Sequence, residues 1–245
     1  MKVTISIVSH NQEKLVQSLL LSLDNNLVSG NIDFTIIIRN NLHSIYKYKS
    51  SKFKLIVINN LEPKGFGSNH NLNFSILKSD FFLVLNPDII FHVNFNFNNY
   101  IKTVIANDLS ISTPSIVDYN NKTLDHVRKC ITLTDLIVRR LSKKNNHKHH
   151  WIAGMFMFFN SDTFFKLSGF NETFFMYVED TDICLRCNGI IGILSNFAVQ
   201  HIEQRNSFKS LKHFIWHLKS LLKYSQLYLF SNIYKKPPKS IYYIL

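Results

Sequence analysis

In the first third of the chain, apolar runs stop abruptly at polar residues. The stretches "KVTISIV", "DFTIII", "FKLIVI" and "DFFLVL" are followed at once by "SHN", "RNN", "NNL" and "NPD". Short apolar runs rich in β-branched residues read as strands buried on both faces. Between them, "EKLVQSLLLSL" carries apolar residues at helical spacing, and "GFGSNHNLNFSILKS" reads as a glycine turn opening into a helix. Strands alternating with helices specify an α/β fold whose mixed, mostly parallel central sheet is flanked by helices. In such sheets ligands bind at the carboxyl ends of the strands. Ser9, His10, Asn11, Asn40, Asn41, Asn86 and Asp88 stand there.

Beyond Phe91 the pattern changes. "KCITLTDLIVRRL" is helical in spacing, and "SKKNNHKHH" is a polar, basic loop. "WIAGMFMFFN" reads as one strongly apolar strand, and "SDTFFKLSGF" as a short helix capped by Ser161 or Asp162. "FFMYVEDTDICLRC" then places Glu179, Asp180 and Asp182 directly after an aromatic cluster, and "GIIGILSNFAVQH" is a further strand. Two readings of the acidic turn are open. Acidic residues are favoured in a helix's first turn by the dipole, and a carboxylate against apolar surface has a raised proton affinity suited to a general base. Asp182 lies four residues before Arg186, the spacing of a helical ion pair.

The net charge of +12 and pI near 9.6 call for an anionic partner: nucleic acid, phospholipid or a phosphorylated substrate. The late stretch "SFKSLKHFIWHLKSLLKYSQLYLF" has Leu211, Phe214, Ile215, Leu218, Leu221 and Leu222 at helical spacing, with Lys212, Lys219 and Lys223 among them. It fits either an interfacial membrane helix or a surface helix packed on the domain. No run reaches the ~20 apolar residues that span a bilayer, and the start has no signal-peptide pattern, so a cytoplasmic protein is expected. Cys130, Cys184 and Cys187 form no disulfide framework, and the single C-x-x-C has no second pair to complete a zinc site. Signatures of nucleic-acid-binding modules are absent, so no nucleic-acid partner is expected, while charge and aromatic content keep a basic nucleic-acid-binding protein as an alternative.

Taken in order, "VSHN", "GFGSNHN", "LVLNPDI", "WIAGMFMF", "GFNETFFMYVEDTDICLR" and "QHIEQRNS" resemble family 2 inverting glycosyltransferases of the GT-A fold. The likeness is greatest to the bacterial rhamnosyltransferases that build lipopolysaccharide O-antigen and other cell-surface glycans. The resemblance implies a GT-A domain over 1–207, with a nucleotide-binding half (1–91) and an acceptor-binding half (92–207). The basic amphipathic segment 208–245 follows it.

The resemblance also implies roles. Asp180 would be the catalytic base. His10, between Ser9 and Asn11, would lie against the nucleobase. Asn40 occupies the place of a family aspartate that reads the base or ribose, and supplies an amide without charge. Gly67 and Asn71 would belong to the turn that closes over the nucleotide. Asn86-Pro87-Asp88 replaces the family's D-x-D motif, with Asp88 as the metal ligand, His201 completing the shell, and Mg2+ or Mn2+ as cofactor. Arg128 can reach the diphosphate as a charge-assisted donor. Trp151, Gly154 and Glu179 would face the acceptor, although Trp151 suits a core equally well.

The implied partners are a dTDP- or UDP-sugar donor and a lipid-linked glycan acceptor, at the cytoplasmic face of the inner membrane. Rhamnose is the implied sugar; galactosyl, galactofuranosyl and N-acetylhexosaminyl transfer stay open. So does a sugar-nucleotide-binding protein without catalysis, since Asn40 and Asn86 are uncharged.

Overall fold

The computed structural model describes residues 1–28, 30–128, 151–202, 211–230 and 241–244. The segments "KCITLTDLIVRRL" and "SKKNNHKHH", with Cys130, lie outside the described residues, as does "EQRNS".

The early apolar runs form β1 (Lys2–Ser9), β2 (Asp33–Asn40), β3 (Phe53–Asn59) and β4 (Phe81–Leu85). The first two strands are joined through α1 (Glu13–Asn26), and α2 (Phe66–Phe74) leads from β3 to β4. All of these strands run parallel, with Lys2–Ser9 paired residue for residue to Asp33–Asn40. After β4 come β5 (Ile89–Phe91), α3 (Phe97–Ala106), β6 (Leu109–Val117) and the short β7 (Val127–Arg128). Then follow β8 (Trp151–Ile152), β9 (Phe156–Asn160), α4 (Ser161–Lys166), α5 (Glu179–Arg186) and β10 (Ile190–His201). The last elements are α6 (Leu211–Phe230) and β11 (Ile241–Ile244). The main sheet has the order β11-β10-β6-β9-β4-β1-β2-β3, with β5 also paired to β10.

β9 runs antiparallel to both β4 and β6 and joins the two parts of the sheet. Because successive strand residues point to opposite faces, it feeds two cores. Phe156 and Phe158 enter the core under α1 and α3, with Val16, Leu19, Tyr100 and Val104. Met157 and Phe159 enter the other, with Phe164 of α4 and Ile183 of α5. On that second face, β1 and β2 are polar where they meet α2: Ser6 bonds His70, and Arg39 bonds Asn73.

Two local expectations are corrected. "WIAGMFMFFN" is not one strand but β8 and β9, separated by a turn at Gly154 and Met155. The cap of α4 is Asn160, whose side chain accepts from Asp162 N at 3.0 Å, rather than Ser161 or Asp162. Asn160 is the residue with extended backbone just before the helix, which is where a side-chain oxygen can reach the free amides.

Asp182 and Arg186 form the ion pair their spacing predicts, at 2.8 Å, with Asp182 fully buried. Arg186 also donates to the carbonyls of Leu167 and Gly169, at 2.6 and 2.8 Å, tying α5 to the turn after α4. Removing the acid would leave a largely buried cation, a change that costs about 3–5 kcal/mol. Asp182→Ala should therefore lower the unfolding free energy measured by urea denaturation by an amount in that range, and a value near that of the unchanged chain would contradict the pairing's role.

Candidate active site

The sheet brings the acidic turn and the Asn-Pro-Asp turn together through one short segment. At the end of β4, Asn86 N donates to Met155 O at 2.9 Å. One residue earlier, Gly154 N donates to Asp180 Oδ2 at 3.0 Å. The turn between β8 and β9 thus holds Asn86 on one side and Asp180 on the other.

Asp88 lies at the start of β5, whose antiparallel pairing with β10 sets Ile89 opposite His201. Its carboxylate Oδ2 is 3.2 Å from His201 Nε2, and both side chains are largely buried. Asp88 Oδ1 and His201 Nδ1 are buried without a hydrogen-bond partner. A carboxylate and an imidazole with orphaned atoms suit a divalent cation that takes its other ligands from phosphate oxygens and water. Among the described residues, no group of three or more His, Cys, Asp or Glu side chains could hold a metal alone.

Asp180 Oδ1 accepts from Thr181 N at 2.8 Å. Burial raises the Asp180 carboxyl above the ordinary aspartate range, while bonds from Gly154 and Thr181 and the charge of Arg128 oppose the rise. Glu179 beside it is 6% exposed, and its Oε2 has no hydrogen-bond partner. Burial first, and the Asp180 charge second, hold the Glu179 carboxyl well above the usual range. Arg128 lies across the β7–β8 ladder from Trp151, with its guanidinium carbon 5.5 Å from the indole centroid. Trp151 itself is buried in the second core.

Gly67 and Asn71 are engaged with the block that precedes the acids. A Cβ on Gly67 would stand 2.7 Å from Phe170 Cβ, so only glycine lets α2 approach this closely. Asn71 receives Phe170 N and donates to Phe170 O and Glu172 Oε1. Farther along the sheet, Ser9 and Asn40 are fully buried, with the Tyr46 hydroxyl 3.2 Å from Ser9 Oγ and 3.0 Å from Asn40 Oδ1. Asn40 also donates to Asn59. His10 and Asn11 are exposed, Asn11 with a left-handed backbone at φ 59°.

Arg128, Trp151, Gly154, Glu179 and Asp180 therefore cluster around the β8–β9 turn. Asp88 and His201 form a second pair, reached through Asn86. Ser9, His10, Asn11 and Asn40 lie at the ends of β1 and β2. A polar seam not expected from sequence runs beside them. Arg39, 9% exposed, donates to Asn73 and Asn60 and forms no ion pair with a described residue. Asn60 in turn donates to Asn41 and Asn69. The available signal was polar residues at helical spacing in α2: Asn69, His70 and Asn73. A shallow hollow lined by Lys2, Asp33 and Asp80 lies at the opposite, amino ends of the strands.

No family model matches the chain. It is 31% identical to rhamnosyltransferase WbbL of Escherichia coli (strain K12), over 91% of this chain and 92% of that protein. The chain belongs to the family 2 glycosyltransferases. Its fold is GT-A. Staphylococcus aureus TarS residues 1–349 superpose with a TM-score of 0.60 at 14% identity, covering 94% of this chain and 73% of that one. The same TarS segment in complex with UDP-GlcNAc gives 0.63 at 16% identity, covering 88% and 64%. GalNAc-T7 with UDP, GalNAc and Mn2+ gives 0.61 at 14% identity, covering 82% of this glycosyltransferase and 43% of that chain.

The burial of Glu179 has a stability consequence whose sign is fixed. A carboxyl whose proton affinity is raised by folding binds more protons folded than unfolded, so stability falls as pH rises above the unfolded-state value. Glu179→Gln should raise Tm at about pH 8 by about 2 °C or more, the shift given by 1 kcal/mol in a chain of this size. The gain should vanish below about pH 4, where glutamate is protonated in both states. Equal melting at both pH values would contradict this account.

Proposed function

We propose that this glycosyltransferase moves a sugar from a nucleoside diphosphate to an acceptor hydroxyl in one inverting displacement, with Asp180 as the base. The supporting observation is the Asp180–Gly154–Met155–Asn86 chain of contacts, which sets a half-buried carboxylate beside the turn carrying Asp88. The acceptor oxygen attacks the anomeric carbon from the side opposite the diphosphate. Its proton passes to Asp180 as the new carbon–oxygen bond forms. The bond to the diphosphate breaks, and that group leaves with the electron pair. A base raised toward neutral pH accepts the proton more readily than an exposed aspartate.

Asp88 and His201 would hold the divalent cation, Mg2+ or Mn2+. Once bound, such an ion supplies Lewis-acid neutralisation of diphosphate charge. Arg128, whose charge reaches Asp180, is placed to add a charge-assisted donor on the leaving side or to steady the base. Glu179, Trp151 and Gly154 form the acceptor side. Ser9, His10, Asn11, Asn40, Gly67, Asn71 and Asn86 form or brace the donor side, where Asn40, fully buried and bonded to Asn59 and Tyr46, braces the end of β2.

The 31% identity to a rhamnosyltransferase favours L-rhamnose from dTDP-rhamnose as the donor. The TarS complexes with UDP and UDP-GlcNAc make a UDP-sugar the alternative. On α6, Ile215, Leu218 and Leu222 are exposed alongside Lys219 and Lys223. No helix among the described residues is long and apolar enough to cross a membrane. An exposed apolar strip edged by lysines on a chain of charge +12 suits an anionic lipid surface. We therefore assign a lipid-linked glycan acceptor, met at the cytoplasmic face of the inner membrane, in cell-surface polysaccharide synthesis.

In thermal-shift titrations, dTDP or UDP should stabilise the protein only with Mg2+ or Mn2+, and Asp88→Ala should lose the metal-dependent part. The absence of any nucleotide response would sink the donor assignment. Incubation with a panel of sugar nucleotides and a polyprenyl-diphosphate-linked acceptor, read by product mass, identifies the transferred sugar. Asp180→Asn should keep the nucleotide shift while transfer falls by about 10²–10⁴-fold, the usual contribution of a positioned base. Full transfer in that variant would remove Asp180 from its role. In the unchanged enzyme, the acid limb of kcat/KM should lie above the ordinary aspartate range.

A further inference from the structure

The residues that deliver Glu179 and Asp180 are held in a conformation they would not adopt alone. Tyr177 and Val178 have φ values of 70° and 74°. The left-handed region is disfavoured for side-chain-bearing residues and most of all for β-branched ones. Val178 also occupies the N-cap of α5, and no side chain caps that end. Backbone of this kind persists only where its surroundings over-determine it.

The surroundings are supplied by α6. Phe174 and Val178 pack with Tyr224 in a hydrophobic cluster separate from the two main cores, with Leu185, Leu221 and Leu227 around it. Ser220 Oγ donates to Met176 O at 2.8 Å. The Phe175 ring lies 5.0 Å from Trp216, and the Tyr177 ring 5.0 Å from His217. Every residue from 174 to 178 is thus engaged from α6 or through the Tyr224 cluster. From the opposite side, Phe66 N donates to Phe175 O at 2.9 Å, and a Cβ on Gly65 would come within 2.6 Å of that carbonyl. The loop is gripped between the start of α2 and the inner face of α6.

We infer that α6 is a positioning element of the active site: through Ser220 and Tyr224 it clamps loop 174–178 in its left-handed form and so fixes where Asp180 points. This rests on Asp180 being the base. Neither Ser220 nor Tyr224 is assigned contact with the reacting atoms. Their effect is on geometry, and a displacement of about 1 Å at a reacting group can cost about 10²-fold in rate.

The test uses the full chain and two readouts. In Ser220→Ala and Tyr224→Ala, amide hydrogen exchange across 174–182 should accelerate about tenfold or more while β1 and β4 keep their protection, the signature of local opening. With dTDP-rhamnose or the UDP-sugar chosen by the panel, kcat should fall about tenfold or more while KM for the sugar nucleotide stays within about twofold, the pattern of a lost transition-state arrangement. Tyr224→Phe, which keeps the ring, should restore both readouts. Unchanged exchange and kcat in both alanine variants would overturn the clamp, as would loss of protection spread evenly through the sheet. The base assignment fails separately: Asp180→Asn with full transfer removes the base, whereas an inactive Asp180→Asn beside fully active Ser220→Ala and Tyr224→Ala removes the clamp.

Discussion

The antiparallel seat of β9 between β4 and β6 is the constraint on which the site depends. A wholly parallel sheet would carry each loop back on its own crossover. A strand running the other way delivers its entry turn, Gly154–Met155, to the carboxyl edge where β4 ends. That turn then serves two partners at once, with the Met155 carbonyl on Asn86 and the Gly154 amide on Asp180. The alternation of Phe156, Met157, Phe158 and Phe159 between two cores fixes the register. A one-residue slip would turn every one of these side chains to the wrong face.

Around this seat the protein concentrates carboxylates in apolar surroundings, and each is treated differently. Asp182 is fully paired with Arg186, which carries the pair's charge into hydrogen bonds with two carbonyls. Asp180 is half-satisfied by two backbone amides, so it keeps its charge more easily than its neighbour. Glu179 has a buried oxygen with no partner, and burial holds its carboxyl well above the usual range. Three acids within four residues thus span the range from structural ion pair to reluctant carboxyl. The difference arises from partners, since all three share the same helix start.

Much of the parallel half was legible because strands buried on both faces announce themselves as apolar runs ended by polar residues. Strands β1 to β4 fall where "KVTISIV", "DFTIII", "FKLIVI" and "DFFLVL" placed them. The turn at Gly154 was hidden inside "WIAGMFMFFN", because a three-residue break made of Ala153, Gly154 and Met155 leaves no polar punctuation. The seam of Arg39, Asn60, Asn69 and Asn73 was hidden for the opposite reason. Asparagine is so frequent in this chain that one more carries little signal, and helix α2 buries a polar face where periodicity arguments look for an apolar one. The late amphipathic helix was readable as such. Which of its residues turn inward to loop 174–178 depends on contacts far apart in sequence, and no local pattern encodes them.

The terminal strand carries a meaning of its own. β11 adds in parallel register to Ile191–Leu194, and β5 covers Val199–His201 on the same border of β10. A long apolar strand with a bare border invites pairing with any extended peptide, including another copy of the same chain. The edge of the sheet thereby passes to β11, only 4 residues long, and so short an edge is a poorer template for pairing. Protection of β10 against edge pairing therefore rests partly on Ile241–Ile244.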